Sequence, residues 1–185
     1  MCYYITGSIS GKVTVKELNS VGQEFGLKFE TCPNEFVQEQ LKSGECYIWK
    51  YCDYCDCGTI LGSLNKKNVK RREDKIKSEV EKRKRKGWSE AKIQRFLNDK
   101  NEGIGQYKSR VETENEILEW IDFCKKLFET TPINTFGILI HWYNGDFSLE
   151  NEKITLNGRI FIDKSELTTN NLLEIEEDTD RKSVV

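Results

Sequence analysis

The spacing of apolar residues along the first third of the chain predicts two strands and a helix. Residues 3–9 are mostly apolar or small, which favours a strand. Thr14 and Glu17 form a capping box, and the apolar residues that follow fall on one helical face until Gly26. Residues 46–51 are rich in aromatic side chains and predict a second strand.

The middle of the chain, residues 64–110, has a different pattern. Between Leu64 and Lys86 very few residues are apolar, which predicts a helix that mostly faces water. Gly87 interrupts this helix, and Ser89 is a suitable N-cap for another. We expect the two helices to form an arm that projects from the core.

The last third supplies the rest of the predicted core. Residues 111–128 carry a full apolar stripe, so this helix should pack on a sheet. Residues 136–143 are the most strand-like run of the chain, and Asn-Gly pairs at 144–145 and 157–158 predict two hairpin turns. The acidic, polar tail at 174–185 predicts disorder.

Together these elements predict a single α+β domain, in which helices cover an antiparallel sheet and a charged helical arm projects from it. The length of 185 residues suits one such core. We divide the chain into an N-terminal strand–helix–strand part of the core (1–63), the basic arm (64–110), the core helix with a C-terminal β-meander (111–173) and the acidic tail (174–185).

Charge is concentrated in the arm. Residues 65–110 contain 17 Lys and Arg against 7 Asp and Glu, whereas the whole chain has a net charge of −2. The candidate partner-binding residues are Lys70, Arg71, Arg72, Arg83, Lys84, Arg85 and Lys86. Such clusters neutralise phosphates or an acidic protein surface, although interleaved acids such as Glu73 also suit ion pairs within the helix. We therefore expect a non-enzymatic interaction protein whose arm binds a protein or nucleic-acid partner.

The N-terminal residues lack the basic start and long apolar stretch of a signal peptide, and no apolar run reaches the ~18 residues of a membrane span. We expect a cytoplasmic protein with no membrane association. In a reducing compartment the seven cysteines are expected to be thiols or metal ligands rather than disulfides.

Three of the cysteines, Cys52, Cys55 and Cys57, lie within six residues. Cys52 and Cys55 have the spacing of a zinc knuckle, so zinc is the cofactor that this cluster favours, in a structural or regulatory site. No second pair of this spacing is present, and further ligands would come from Cys2, Cys32, Cys46, Cys124 or His141. Two other interpretations stay open, namely a redox pair and small apolar residues buried in a strand.

Cys2 follows the initiator methionine directly. Once Met1 is removed, the free α-amine, with a pKa of about 8, can take the proton of the Cys2 thiol. This start resembles class II glutamine amidotransferases and other N-terminal-nucleophile hydrolases, whose cysteine begins a buried strand. In that family an Asn-Gly pair helps to form the oxyanion hole, and Asn144 and Gly145 are the same residue types.

The resemblance implies, as the alternative to a binding protein, an amidohydrolase or amidotransferase-like enzyme with Cys2 as its nucleophile. Without such an activity, Cys2 is a buried strand residue and residues 144–145 form an ordinary turn. The Met-Cys start and the Cys-Asp-Cys-Gly-Thr-Ile-Leu-Gly-Ser block at 55–63 also resemble small uncharacterised bacterial proteins, a likeness that implies no function. The lone histidine, His141, lies in a predicted strand and is more typical of a packed residue than of a base.

Overall fold

The structure is a computed structural model that describes residues 2–53, 55–62, 66–102, 110–143 and 151–184. The strands within these ranges are β1 (Cys2–Gly11), β2 (Phe29–Thr31), β3 (Glu45–Lys50), β4 (Ile133–Tyr143), β5 (Gly158–Asp163) and β6 (Thr179–Val184). The α-helices are α1 (Val15–Gly22), α2 (Glu35–Gln38), α3 (Lys66–Arg85), α4 (Glu90–Glu102), α5 (Arg110–Thr130) and α6 (Thr169–Leu173). The α+β fold class is confirmed.

The six strands form one sheet in the order β2-β3-β1-β4-β6-β5. The central strand β1 pairs antiparallel with β4 along its whole length. Its pairing with β3, also antiparallel, starts only at Thr6, which lies opposite Trp49. The first half of β1 therefore has an edge that β3 does not cover.

One face of the sheet carries the larger core. Alternate residues of β1, among them Ile5 and Ile9, point to this face, and α5 packs Phe123 and Leu127 onto it. The rings of Phe123 and Phe29 stack with their centroids 5.6 Å apart. Burying a side chain of this kind contributes roughly 1.5–3 kcal/mol, so the contact between α5 and the sheet is a main source of stability.

The opposite face carries a smaller and more polar core, on which α2 places the fully buried Val37. Tyr4 and Tyr143 meet edge to face there, with ring centroids 5.5 Å apart. Tyr47 is also buried, and its hydroxyl donates a hydrogen bond to Thr6 Oγ1 at 2.8 Å. This face contains the half-buried Cys2 and the start of the cysteine-rich block.

The C-terminal part differs from the antiparallel meander that the sequence predicts. Residues 152–157 have no regular secondary structure, and β5 pairs with β6 in parallel. The sequence predicts disorder for 174–185, whereas residues 179–184 form β6, antiparallel to β4, and Ile175 is only 1% exposed. The open edge of β4 gives the polar tail a partner for its backbone, which sequence patterning alone does not reveal. The hairpin predicted at 144–145 lies outside the described residues.

In the arm, α3 and α4 follow the predicted boundaries closely, with the break at Gly87 between them. None of the helices in the described ranges is both long and apolar enough to cross a membrane.

Candidate functional site

The segment that contains Cys55 and Cys57 covers the edge of β1 that β3 leaves open. The backbone N–H of Tyr3 donates to Cys57 Sγ at 3.2 Å, and that of Ile5 donates to Asp56 Oδ2 at 2.8 Å. Unpaired backbone groups along a strand edge need partners when they are buried. A 3-10 turn at residues 56–58 thus completes the sheet edge through its side chains rather than through another strand.

Asp56 is fully buried, and its charge is balanced by Lys50 at the end of β3. Lys50 Nζ lies 2.5 Å from Asp56 Oδ1, and the lysine side chain is only 14% exposed. A buried carboxylate is tolerated only when it is paired and hydrogen-bonded. Asp56 therefore joins β1, β3 and the turn at one point.

The residues after Asp56 fix the shape of the turn. The hydroxyl of Thr59 donates to the carbonyl oxygen of Asp56 at 2.8 Å and accepts from the backbone N–H of Gly62 at 3.1 Å. A Cβ atom at Gly62 would lie 1.9 Å from that same carbonyl oxygen, so only glycine fits there. Leu61, which lies between Thr59 and Gly62 in the chain, is fully buried in the larger core. Much of the block after Cys55 is thus explained by the structure of the turn.

Three cysteines meet at this turn. Cys2, the first residue of β1, lies next to Cys55 and Cys57, and the three Sγ atoms are all within 4.8 Å of one another. In a tetrahedral zinc site with Zn–S bonds of ~2.3 Å, the sulfurs lie roughly 3.8 Å apart. The three half-buried thiols thus need only small side-chain adjustments to bind one metal ion.

Cys52, the remaining predicted ligand, is not part of this group. Its Sγ lies 3.8 Å from Asp56 Oδ2, and burial, followed by the Asp56 charge, raises the pKa of its thiol to about 11. Cys52 is nevertheless close to the other three cysteines. Burial and then repulsion from Cys2, Cys52, Cys55 and Cys57 raise the pKa of Tyr4 to about 12, because all four sulfurs lie around its side chain.

Without a bound cation, the Cys57 thiol favours its protonated form. Burial raises the pKa of Cys57 to about 12, an effect that the Tyr3 amide partly offsets and that Cys55 and Cys2 strengthen. A metal ion reverses this preference, since a coordinated thiol loses its proton. Metal binding would therefore convert Cys57 from a protonated thiol into a coordinated thiolate.

The other candidate zinc ligands lie elsewhere. Cys32 and Cys124 are buried in the smaller and larger cores respectively, and Cys46 is half-buried on β3. His141 is bound to Asp178 and is not among the residues grouped with the three thiols.

The residues of the predicted oxyanion hole, Asn144 and Gly145, lie outside the described residues. Tyr143, which precedes them in the chain, is the partner of Cys2 in the pairing of β1 with β4. The roles predicted for this pair and for the Cys2 thiol as a nucleophile stay predictions.

Among the predicted partner-binding residues, Arg83 makes contacts that hold the arm itself together. Its Nη1 lies 3.1 Å from Glu79 Oε2, and its guanidinium carbon lies 3.7 Å from the centre of the Phe96 ring and 5.3 Å from that of Trp88. Arg83 thus joins α3 to the residues that begin and line α4. Lys70, Lys84, Arg85 and Lys86 are exposed, and Arg71 and Arg72 lie within α3, where their side chains are not among those described.

Comparisons of the chain with protein-family models, with curated proteins and with solved structures find no match.

Proposed function

We propose that this protein is a non-enzymatic interaction protein in which a zinc ion, bound by Cys2, Cys55 and Cys57, holds the start of β1 against the turn. Its basic arm binds an anionic partner. The observation that carries the proposal is the convergence of three thiols from two distant segments of the chain.

Zinc suits this donor set. Thiolate sulfur is a soft ligand that zinc accepts, and structural zinc sites take four cysteine or histidine ligands in a tetrahedron. Cys52 is the candidate for the fourth position, because it is close enough to Cys55 for the two thiols to interact electrostatically. To bind the metal, its sulfur would need to turn away from Asp56. A closed site of four cysteines is structural rather than catalytic, since it leaves no position for a substrate.

At this location the metal would have a structural role. Tyr3 and Ile5 are already tied to the turn by hydrogen bonds to Cys57 and Asp56, and a metal would add a third tie at Cys2. A metal that binds the native state but not the unfolded chain stabilises the fold by its binding free energy. We therefore expect the zinc to stabilise the centre of the sheet.

The metal content of the protein tests this proposal. Protein prepared under reducing conditions should contain about one equivalent of zinc, and a chelator should lower its melting temperature. Cys55→Ser and Cys57→Ser should each reduce the zinc content strongly, whereas Cys46→Ser, a matched control on β3 outside the group, should retain it. A metal-free protein whose melting temperature does not respond to added zinc would rule the metal out.

The exposed lysines and arginines of α3 support the second part of the proposal. Lys84, Arg85 and Lys86 lie at the end of a helix that packs against α4, and all three are exposed. Lys84 forms an ion pair with Glu81 at 3.4 Å, but both side chains are more than half exposed, so the pair restrains the lysine weakly. These charges are available to phosphates or to acidic side chains of a partner.

A second candidate function is that of an N-terminal-nucleophile amidohydrolase. The observation in its favour is the position of Cys2 at the start of the central strand, opposite the residue that precedes Asn144 and Gly145. The two candidates make different demands on the same thiol. A zinc site needs Cys55 and Cys57 and tolerates Met1, whereas the nucleophile needs a free α-amine at Cys2.

A further inference from the structure

A second cluster of ligating side chains lies on β4, at His141. Its Nδ1 lies 2.5 Å from Asp178 Oδ1, and its Nε2 lies 3.9 Å from Glu152 Oε1. Glu177 is close as well, so that His141, Glu177 and Asp178 each offer a ligand atom within 4.8 Å of the others. The imidazole is only 12% exposed, whereas the side chains of Asp178 and Glu152 are 24% and 30% exposed.

Both ring nitrogens of His141 face carboxylate oxygens, Nδ1 towards Asp178 and Nε2 towards Glu152. A lone pair on such a nitrogen can coordinate a cation that lies between the ring and a carboxylate. Within the part of the chain that the structure describes, Nε2 is buried and has no hydrogen-bond partner. A bound cation would give this buried atom a partner and would balance the negative charges of the nearby carboxylates.

The backbone holds Asp178 in place for this role. Its φ of 59° lies in the left-handed region, which a non-glycine residue adopts at some cost. Its N–H donates to Ile140 O at 3.0 Å, and its carbonyl oxygen accepts from Asn157 N at 2.6 Å. The carboxylate is therefore anchored beside His141 by two other segments of the chain.

Glu152, on the other side of the imidazole, is anchored too. Its carbonyl oxygen accepts a hydrogen bond at 2.9 Å from the side-chain amide of Asn34, which is itself fully buried. The acidic groups around His141 thus come from two different segments, both fixed by backbone hydrogen bonds. This prior positioning is what a metal site requires of its ligands.

From this geometry we propose a second metal site, formed by His141, Glu177 and Asp178 with Glu152 at its edge, that binds a divalent first-row transition ion through nitrogen and oxygen ligands. Imidazole and carboxylate together suit Mn²⁺, Fe²⁺, Co²⁺ and Zn²⁺, whereas the sulfurs around Cys2 select softer ions. The ion would take the place of the hydrogen bond between His141 Nδ1 and Asp178. It would tie the segment that leads into β6 to the middle of β4.

Titration of the intact protein with Mn²⁺ tests the site, because this harder ion prefers nitrogen and oxygen ligands over thiolates. Binding can be followed by the loss of the electron paramagnetic resonance signal of free Mn²⁺. We expect one equivalent to bind to the wild type and to the Cys55→Ser variant. His141→Asn and Glu177→Gln should each weaken binding by about tenfold or more.

Glu174→Gln is the matched control, since it removes the same charge from the same segment at an exposed residue outside the cluster. It should bind Mn²⁺ like the wild type. Glu177→Gln leaves the contact between His141 and Asp178 intact, so it remains informative if the histidine variant is poorly folded, which circular dichroism would report. The site is refuted if the wild type binds no Mn²⁺, or if Glu174→Gln weakens binding as much as Glu177→Gln does.

Discussion

The carboxylate of Asp56, which is fully buried, accepts a hydrogen bond from the backbone N–H of Ile5 at 2.8 Å. This contact substitutes a side chain for a missing strand. Lys50 supplies the balancing charge, since its Nζ lies 2.5 Å from the other carboxylate oxygen. The order of the sheet at β1 therefore depends on a charged residue within the cysteine-rich block, independently of any metal.

Replacing Asp56 by Asn should destabilise the protein strongly. The amide can still accept the Ile5 hydrogen bond, but it leaves Lys50 buried without its counter-charge. Breaking a buried pair in this way costs roughly 3–5 kcal/mol. Asp53→Asn, at an exposed residue three positions earlier, should change the free energy of unfolding by less than about 0.5 kcal/mol. Denaturant titration of both variants measures the difference, and equal stabilities would contradict the role given to Asp56.

Gly62→Ala should also destabilise the fold. The new methyl group would meet the carbonyl oxygen of Asp56 at 1.9 Å, so the turn must shift, at a cost of at least about 2 kcal/mol. Gly58 provides the control within the same block, because a Cβ atom there would meet nothing within 4 Å. Gly58→Ala should leave the melting temperature unchanged or slightly raised. If both variants melt at the same temperature, the close approach at Gly62 is not needed.

These two residues show how far the sequence predicts the site. The clustering of cysteines marks the block, and the capping box at Thr14 and Glu17 marks α1, which the structure confirms. Nothing local marks Asp56 as buried, because its partners, Ile5 and Lys50, lie in two other strands. The grouping of Cys2 with Cys55 and Cys57 likewise depends on the sheet order, and the sequence leaves Cys2 as one of several candidate ligands.

Dependence on residues that are distant in the sequence also explains why neither β6 nor the contact of His141 with Asp178 is predicted from the sequence. The sequence of residues 179–184 is mainly polar and lacks the alternation of a half-buried strand, so its pairing with β4 is decided by the available sheet edge. His141 and Asp178 meet because this pairing brings the tail back to β4. Strong local signals, such as the apolar run of β4 itself, are predicted correctly, since a continuous run of apolar residues indicates a buried strand whichever strands it pairs with.

The buried thiol of Cys124 should make the protein less stable in alkaline solution. Burial raises its pKa to about 12 in the folded state, whereas an unfolded thiol has a pKa of about 8.5. Between these values the unfolded chain binds fewer protons, so the free energy of unfolding falls as the pH rises. From pH 8.5 to 10 this single group contributes a loss of up to roughly 2 kcal/mol.

Cys124→Ala should remove that part of the pH dependence, although it lowers stability at neutral pH by creating a small cavity. Denaturant titrations at pH 7, 8.5 and 10 give the slope of the free energy of unfolding against pH for the wild type and for the variant. Identical slopes above pH 8.5 would show that Cys124 does not titrate as its burial implies.

Substitutions in the arm should affect partner binding and the stability of the arm separately. Changing Lys84, Arg85 and Lys86 together to Gln should leave the melting temperature nearly unchanged, as expected for exposed residues. It should weaken salt-dependent binding to a polyanionic probe, for example a short DNA duplex or polyglutamate. Arg83→Gln is the contrasting variant, because it removes the contacts with Glu79, Phe96 and Trp88 and should speed amide hydrogen exchange in α3 and α4.

Binding that is unaltered in the triple variant at both low and high salt would exclude these residues as the contact surface. Equal hydrogen exchange in Arg83→Gln and wild type would show that the guanidinium is not needed to join the two helices. The two outcomes are independent, so the arm's structure and its binding are tested separately.

Covalent labelling of Cys2 distinguishes a metal ligand from a nucleophile at this position. If Cys2 is a nucleophile, the mature chain begins at Cys2, because only its free α-amine can take the thiol proton. An electrophilic glutamine analogue should then label Cys2 faster than the other cysteines. Cys2→Ser should abolish the labelling, and Cys55→Ser, which disrupts the zinc site, should leave it in place.

Intact mass spectrometry of the purified protein reports Met1 and the label in one measurement. A retained Met1, or labelling spread evenly over the cysteines, would contradict the enzyme and leave Cys2 as a zinc ligand. Protection of Cys2, Cys55 and Cys57 together by zinc, and their exposure together after chelation, is the pattern expected of a shared metal site. A nucleophile that acts alone would instead react at Cys2 whether or not zinc is present, because its base belongs to the same residue.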